Sequence, residues 1–344
     1  MNAAIRAVAK VGAGRGVEVH GVEGGYEGLI EGRIASLTRM AGGRLLPDRS
    51  VDLSLGQGGT ILGSSRSEAF RSPEGRAAGA EALNGFDGLV VIGGDGSLTG
   101  AHALAVEHGV RVVGVPASID NDVGCTSLSI GVDTALNTIV EACSRIADTA
   151  RSHQRAFVVE VMGRRSGYLA MSSAVTVGAD AAVLPEQKRS TEEIVSSVER
   201  VIRQSFGADA GKRQSLIMLS EGVELPATEL VRILNERLHD VAGVEARAIV
   251  LGHLQRGGSP TYMDRMIGGR LGLMALAALA AGVSDEMVAW RPSLEGGVPT
   301  EDPRVLRYPL ERVISESAAL VDGSSEVVRR RLRMMESVEG VLAL

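Results

Sequence analysis

The stretch GLVVIGGDGSLTG, residues 88–100, decides how the rest of the chain is read. Its first half, GLVVIGG (88–94), is a short apolar run with no polar alternation, as a strand covered on both faces requires. Its second half turns on glycines into LTGAHALAVEHG, a stretch of helical character. Strand, glycine turn and helix in that order form half of a parallel βαβ unit. Glycines at 94 and 96 let backbone N–H groups approach phosphate oxygens beside Ser97, and a helix N-terminus adds its dipole. Asp95 inside the turn suits a Mg²⁺ ion shared with those phosphates. A Gly-Gly-Asp-Gly turn is also plain turn chemistry, so this loop needs company before it carries a function.

Company comes from five further runs: VRVVGVP (110–116), AFVVEVMG (156–163), AAVLPE (181–186), SLIMLSEG (215–222) and AIVLGHLQ (248–255). Each is read as a strand and each ends in polar residues. The fold class is therefore α/β, with mostly parallel sheets and crossover helices. Ligands of such sheets bind beyond the carboxyl ends of the strands, where Asp95, Asp120, Asp122, Arg164, Glu221 and His253 would fall. Residues 130–153 read as one long helix, with Leu136, Ile139, Val140, Cys143 and Ile146 spaced by threes and fours. The C-terminal EVVRRRLRMMESVEG reads as a basic surface helix.

At 344 residues the chain is long enough for two lobes. A hydrophobic fraction of 44%, with 23% charged residues and 44 glycines, fits a globular protein rich in tight turns. A net charge of −6 argues against nucleic-acid binding through a general basic surface. No apolar run reaches membrane-spanning length and the N-terminus lacks a signal-peptide pattern, so a cytoplasmic protein is expected. The two cysteines, Cys125 and Cys143, lack metal-ligand spacing and read as reduced structural thiols.

PASIDND (116–122) sets two carboxylates at another strand end. A hydroxyl attacking a phosphoryl group needs a base and the metal needs carboxylate support, tasks that Asp120 and Asp122 could divide; an Asx-rich turn is the alternative. VVEVMGRRSGYLA (158–170) brings Met162, Gly163 and Arg164 to a third strand end, where an arginine can bind phosphate or simply face solvent. LGHLQRGGSP (251–260) combines His253 and Arg256 with a Gly-Gly turn, a cluster able to hold a sugar phosphate. Glu221 could accept hydrogen bonds from sugar hydroxyls or cap a turn.

Taken together, GGDGS, SIDND, SHQR, EVMGRRSG, LGHLQRGGSP and the opening MNAAIR resemble the phosphofructokinase family in order and approximate spacing over nearly the whole chain. The resemblance implies two similar Rossmann-like lobes of three-layer αβα architecture, with the active site in the cleft between them. Residues 1–131 plus about 255–305 would bind the donor, and 132–254 plus about 306–344 would bind fructose 6-phosphate. It implies phosphoryl transfer to the sugar 1-hydroxyl in glycolysis, with Asp120 as base, Asp122 supporting metal and substrate, and Asp95 on Mg²⁺. Arg164 looks like the transition-state arginine, and Ser118 stands where many members carry threonine. Met162, Gly163, Glu221, His253 and Arg256 look like sugar-phosphate contacts. Arg66, in LGSSR, matches a residue that meets the donor phosphates. Arg155 and Arg247 match arginines that reach the sugar phosphate of a neighbouring subunit, which implies a homo-oligomer, usually a tetramer.

In the family a glycine after GGD and another two before the Ile of IDND go with ATP, whereas aspartate and lysine there go with pyrophosphate. Gly96 and Ala117 occupy those places, so ATP is the expected donor and pyrophosphate the alternative. The family also carries an apolar strand and a second Gly-Gly-Asp loop ahead of MNAAIR, so an upstream start is expected; a shortened, catalytically silent binding protein is the other reading. Arg6, Lys10, Lys212 and Arg213 lie where members often bind a regulatory nucleotide or phosphoenolpyruvate, although Ala147 replaces a frequent arginine.

Overall fold

Strand Leu89–Gly93 forms at the edge of a five-stranded sheet in the computed structural model, which describes residues 1–207, 214–241, 244–291 and 294–333. It pairs in parallel with Val112–Pro116, which pairs in parallel with Glu286–Trp290; Val305–Pro309 and Val298–Pro299 complete the sheet antiparallel. This sheet belongs to the first of two compact units, made of Met1–Ser118, Asp122–Asp133 and Gly258–Ala318.

Alternation along those strands fills both faces with apolar groups. Val113, Val115, Val288 and Trp290 pack with Ile267, Leu271 and Ala275 of helix Tyr262–Ala280. Val91, Val112, Met287 and Ala289 pack with Leu98, Ala101 and Leu104 of helix Asp95–His108, and with Leu310 and Val313. Two apolar faces explain the unbroken hydrophobic runs and give the expected helix–sheet–helix layering. The opening residues form helix Asn2–Gly14, which lies so close to helix Tyr262–Ala280 that a Cβ on Gly272 would stand 2.7 Å from the Ala4 carbonyl oxygen.

The second unit takes Ile119–Asn121, Thr134–Gly257 and the chain from Ala319. Its sheet is wholly parallel, ordered Ala246–Val250, Ala156–Val161, Ser215–Ser220, Ala181–Val183. Val158, Val183, Ile217 and Leu219 pack with Ile194, Val198 and Ile202 of helix Thr191–Phe206 and with Leu230 and Leu234 of helix Ala227–Arg237. The long helix runs Val132–His153, and Cys143 Sγ lies 3.8 Å from Met218 Sδ in the sheet. Both cysteines are buried free thiols, and burial pushes Cys143 up to about 11.

Several local readings change. The run at 248–255 is not one strand: the strand is Ala246–Val250, and Gly252–Arg256 is a 3₁₀ turn, because Gly252 takes a left-handed φ of +49°. Glu286–Trp290, Val305–Pro309 and the ribbons His20–Val22/Ile34–Ser36 and Thr38–Ala41/Arg44–Pro47 escape the sequence reading, being short or lacking apolar runs. Pairing with Glu286–Trp290 draws Val305–Pro309 into the first unit, whereas residues from about 306 were expected in the second. Residues 326–333 are helical, but Arg331 is not a solvated cation: its guanidinium lies 4.6 Å from the Tyr168 ring centre. The rest of the expected basic helix, 334–340, lies outside the described residues, as do Lys212 and Arg213.

Candidate active site

The donor loop is built where strand Leu89–Gly93 ends. Gly94 caps helix Asp95–His108 in extended conformation, and its carbonyl accepts from the N–H groups of Ser97 and Leu98. Asp95 is thereby an exposed carboxylate in the first turn, at the positive end of the helix dipole. A Cβ on Gly93 would meet Ser97 at 2.5 Å, whereas one on Gly96 would meet nothing within 4 Å. Tyr26 supports the loop from behind: its hydroxyl donates to the Ser97 carbonyl at 2.6 Å, and its ring stacks on Phe70. Burial pushes the Tyr26 phenol upward, so it stays a neutral donor.

Ladder bonding continues past the next strand, since the Ala117 N–H donates to the Gly93 carbonyl at 2.9 Å. Ser118 Oγ then donates to Asp122 Oδ1 at 2.8 Å, which fixes the Asp122 carboxylate in its turn. Arg66 is exposed and has no ion pair among the described residues. The loop before it is tied by Asn2, whose amide accepts from Ile61 N–H at 2.8 Å and donates to the Gln57 carbonyl at 3.1 Å.

In the second unit Asp120 is 3% exposed, and Arg164 Nε lies 3.3 Å from its Oδ2. Arg164 follows strand Ala156–Val161 at a left-handed φ of +51°. Its conformation is held from three sides. Glu221 Oε1, at the end of the neighbouring strand, accepts from the Gly163 and Arg164 N–H groups at 3.2 and 2.8 Å. A Cβ on Gly222 would stand 2.0 Å from the Arg164 carbonyl oxygen, and one on Gly163, at φ +143°, 2.3 Å from the Ser166 carbonyl oxygen. Glu186 Oε1 accepts from Gly167 N–H at 2.7 Å at the start of helix Tyr168–Val177. Burial, the largest influence, pushes the Glu186 carboxyl up against the opposing pull of that N–H and of Arg331.

Met162 is buried, and its N–H donates to Gln255 Oε1 at 3.1 Å. Gln255 belongs to the Gly252–Arg256 turn that presents His253 and Arg256, both exposed, at the carboxyl end of strand Ala246–Val250. The parallel sheet therefore brings Met162, Gly163, Arg164, Glu221, His253 and Arg256 to one end, with Asp120 on Arg164. It does not bring Arg155 and Arg247 there. They flank and open the strands Ala156–Val161 and Ala246–Val250, and share the Glu245 carboxylate at 2.9 and 2.5 Å. Arg155 lies six residues before Val161 and Arg247 three before Val250, which at about 3.3 Å per residue is roughly 20 and roughly 10 Å from those strand ends.

Gln255 and Glu186 are the polar groups that sequence reasoning passed over. Both sat inside quoted motifs; the available signal was a polar residue too close to a strand end to be needed for solubility. Arg6 and Lys10 lie at 3.3 and 3.2 Å from Asp52. Among the described residues no three His, Cys, Asp or Glu side chains form a metal-binding cluster, and no helix is long and apolar enough to cross a membrane.

Comparison with known proteins agrees with this layout. The family model "Phosphofructokinase" matches residues 1–279. An ATP-dependent 6-phosphofructokinase of Thermotoga neapolitana is 42% identical over 93% of this chain and 95% of its own length. The enzyme of that name from Natranaerobius thermophilus is 44% identical over 85% of each chain. The crystal structure of Pichia pastoris phosphofructokinase in the T-state superposes on 98% of this chain with a TM-score of 0.82 and 30% identity; the present chain spans 38% of that longer one. The chain belongs to the phosphofructokinase family.

Proposed function

We propose that this protein is an ATP-dependent 6-phosphofructokinase, transferring the γ-phosphoryl group of ATP to the 1-hydroxyl of fructose 6-phosphate in glycolysis. The observation that carries the reading is the pairing of buried Asp120 with exposed Arg164. A base that takes the hydroxyl proton must be fixed and shielded, and a cation that spreads charge over a transferring phosphoryl group must be able to reach it. Asp120 meets the first need and Arg164 the second. Ser118 and Asp122, hydrogen-bonded to each other, order the turn that carries Asp120.

Gly94, Gly96 and Ser97 offer a helix N-terminus to the donor phosphates, and Arg66 adds an exposed cation. Open space around Gly96 leaves room for a nucleotide and supports ATP over pyrophosphate. Asp95 fits Mg²⁺: one exposed carboxylate, with no metal-binding cluster among the described residues, suits an ion that keeps its waters and shares substrate phosphates. When bound, Mg²⁺ would neutralise phosphate charge on the donor.

Met162, Gly163, Glu221, His253 and Arg256 would hold the sugar phosphate. Arg155 and Arg247, toward the amino ends of their own strands, would serve the site of a neighbouring copy, so the working form would be a homo-oligomer, as a tetramer, in the cytoplasm. The test is phosphoryl transfer to fructose 6-phosphate with ATP and pyrophosphate in parallel, Mg²⁺ present. Turnover with ATP that Asp120→Asn abolishes is expected; equal or greater turnover with pyrophosphate overturns the donor assignment.

A further inference from the structure

The end of strand Ala156–Val161 poses an unsolved bonding problem that one side chain answers. Its neighbours still pair with it at the last residues: Leu251 N–H donates to the Glu160 carbonyl and Glu221 N–H to the Val161 carbonyl. One residue later the adjacent chain has already turned away at Gly252, leaving the buried Met162 N–H without a strand partner. An unpaired buried amide is costly, so something must accept from it. Gln255 Oε1 does, at 3.1 Å.

The same side chain is bound at its other end, where Nε2 donates to the Gly252 carbonyl at 3.0 Å. Gln255 is 1% exposed, whereas His253, Leu254 and Arg256 around it all face outward. The amide therefore joins the loop of Met162, Gly163 and Arg164 to the turn of His253 and Arg256. No hydrocarbon of that shape could do so, and a carboxylate could keep only the first bond.

We infer that Gln255 is a positioning residue for the acceptor, setting the distance between the Met162–Arg164 loop and the His253–Arg256 turn without itself touching substrate. This rests on the reading of fructose 6-phosphate as acceptor. Gln255 acts on the binding of one substrate only, because Met162, Gly163, His253 and Arg256 belong to the sugar-phosphate side; through Arg164 in the same loop it reaches kcat but not the binding of ATP.

The experiment is steady-state kinetics and calorimetric fructose 6-phosphate binding on the full-length wild type, Gln255→Met and Gln255→Glu. Gln255→Met should raise the KM for fructose 6-phosphate by about tenfold or more while leaving the KM for ATP within about twofold. Gln255→Glu, which still accepts from Met162 N–H, should show a smaller rise of the same selectivity. If Gln255→Met does not fold, the selectivity of Gln255→Glu decides. A folded variant whose KM for fructose 6-phosphate matches wild type, or whose two KM values rise together, overturns the assignment alone. A wild type that neither binds nor phosphorylates fructose 6-phosphate overturns the acceptor reading, and this assignment with it.

Discussion

Arg164 Nε stands 3.3 Å from Asp120 Oδ2, with the arginine side chain 59% exposed and the aspartate 4%. The asymmetry separates their tasks. A buried carboxylate cannot move far, whereas an exposed guanidinium can leave it for an incoming phosphoryl group. Asp120→Asn removes the proton acceptor and keeps the shape, so kcat should fall by about 10²–10⁴-fold with both KM values little changed. Arg164→Ala should also lower kcat, and a variant of either residue with near-normal kcat would count against the pair.

Gly96 allows activity and stability to be separated. A Cβ there meets nothing, and the residue sits in the first turn of helix Asp95–His108, where aspartate favours both helix and dipole. Gly96→Asp should therefore leave thermal stability equal or slightly higher while cutting ATP turnover about 10²-fold or more, by placing charge where the nucleotide phosphates would lie. Matched melting curves and ATP kinetics check this; unchanged ATP turnover would place the donor elsewhere.

How much of this was legible in the sequence depends on whether the cause was local. Strand Leu89–Gly93, its glycine turn and Asp95 follow from adjacent residues. The loop of Met162, Gly163 and Arg164 was visible for the same reason. That Glu221 holds two of its N–H groups, and Gln255 a third, was not, because a missing ladder partner depends on where another strand turns. Glu245 bridging Arg155 and Arg247 likewise exists only once the strands are in register, with Arg247 opposite Phe157. Strands Glu286–Trp290 and Val305–Pro309, inside the first sheet, were missed because they are short and carry polar residues among their apolar ones.

The Arg155–Glu245–Arg247 arrangement predicts complementation. If these arginines serve a neighbouring copy, Arg155→Ala and Asp120→Asn are each inactive for different reasons and on different subunits. Mixing them after mild dissociation should regenerate some intact sites, visible as activity above that of either parent. Activity that never exceeds the sum of the parents would confine both residues to one chain.

A last prediction concerns the first unit's stability. Asp302 meets Arg270 in a two-pronged pair, Nη2 to Oδ1 at 2.5 Å and Nε to Oδ2, while Arg270 also lies 5.2 Å from the centre of Trp290. Those bonds, foremost Arg270 and then the Arg304 N–H, hold the Asp302 carboxyl below its ordinary value of 3.8. A depressed carboxyl binds its proton more weakly folded than unfolded, so its stabilisation is complete above the ordinary value and disappears as pH falls through the folded one. The Asp302 side chain is 10% exposed, so solvent weakens the pair only in part. Asp302→Asn should cost about 1–2 kcal/mol at pH 7, and the difference from wild type should shrink steadily below about pH 4. Denaturant unfolding at pH 7, 5 and 3 reads it directly, and a difference that does not change with pH would mean that packing against Trp290, rather than the ion pair, is what Asp302 secures.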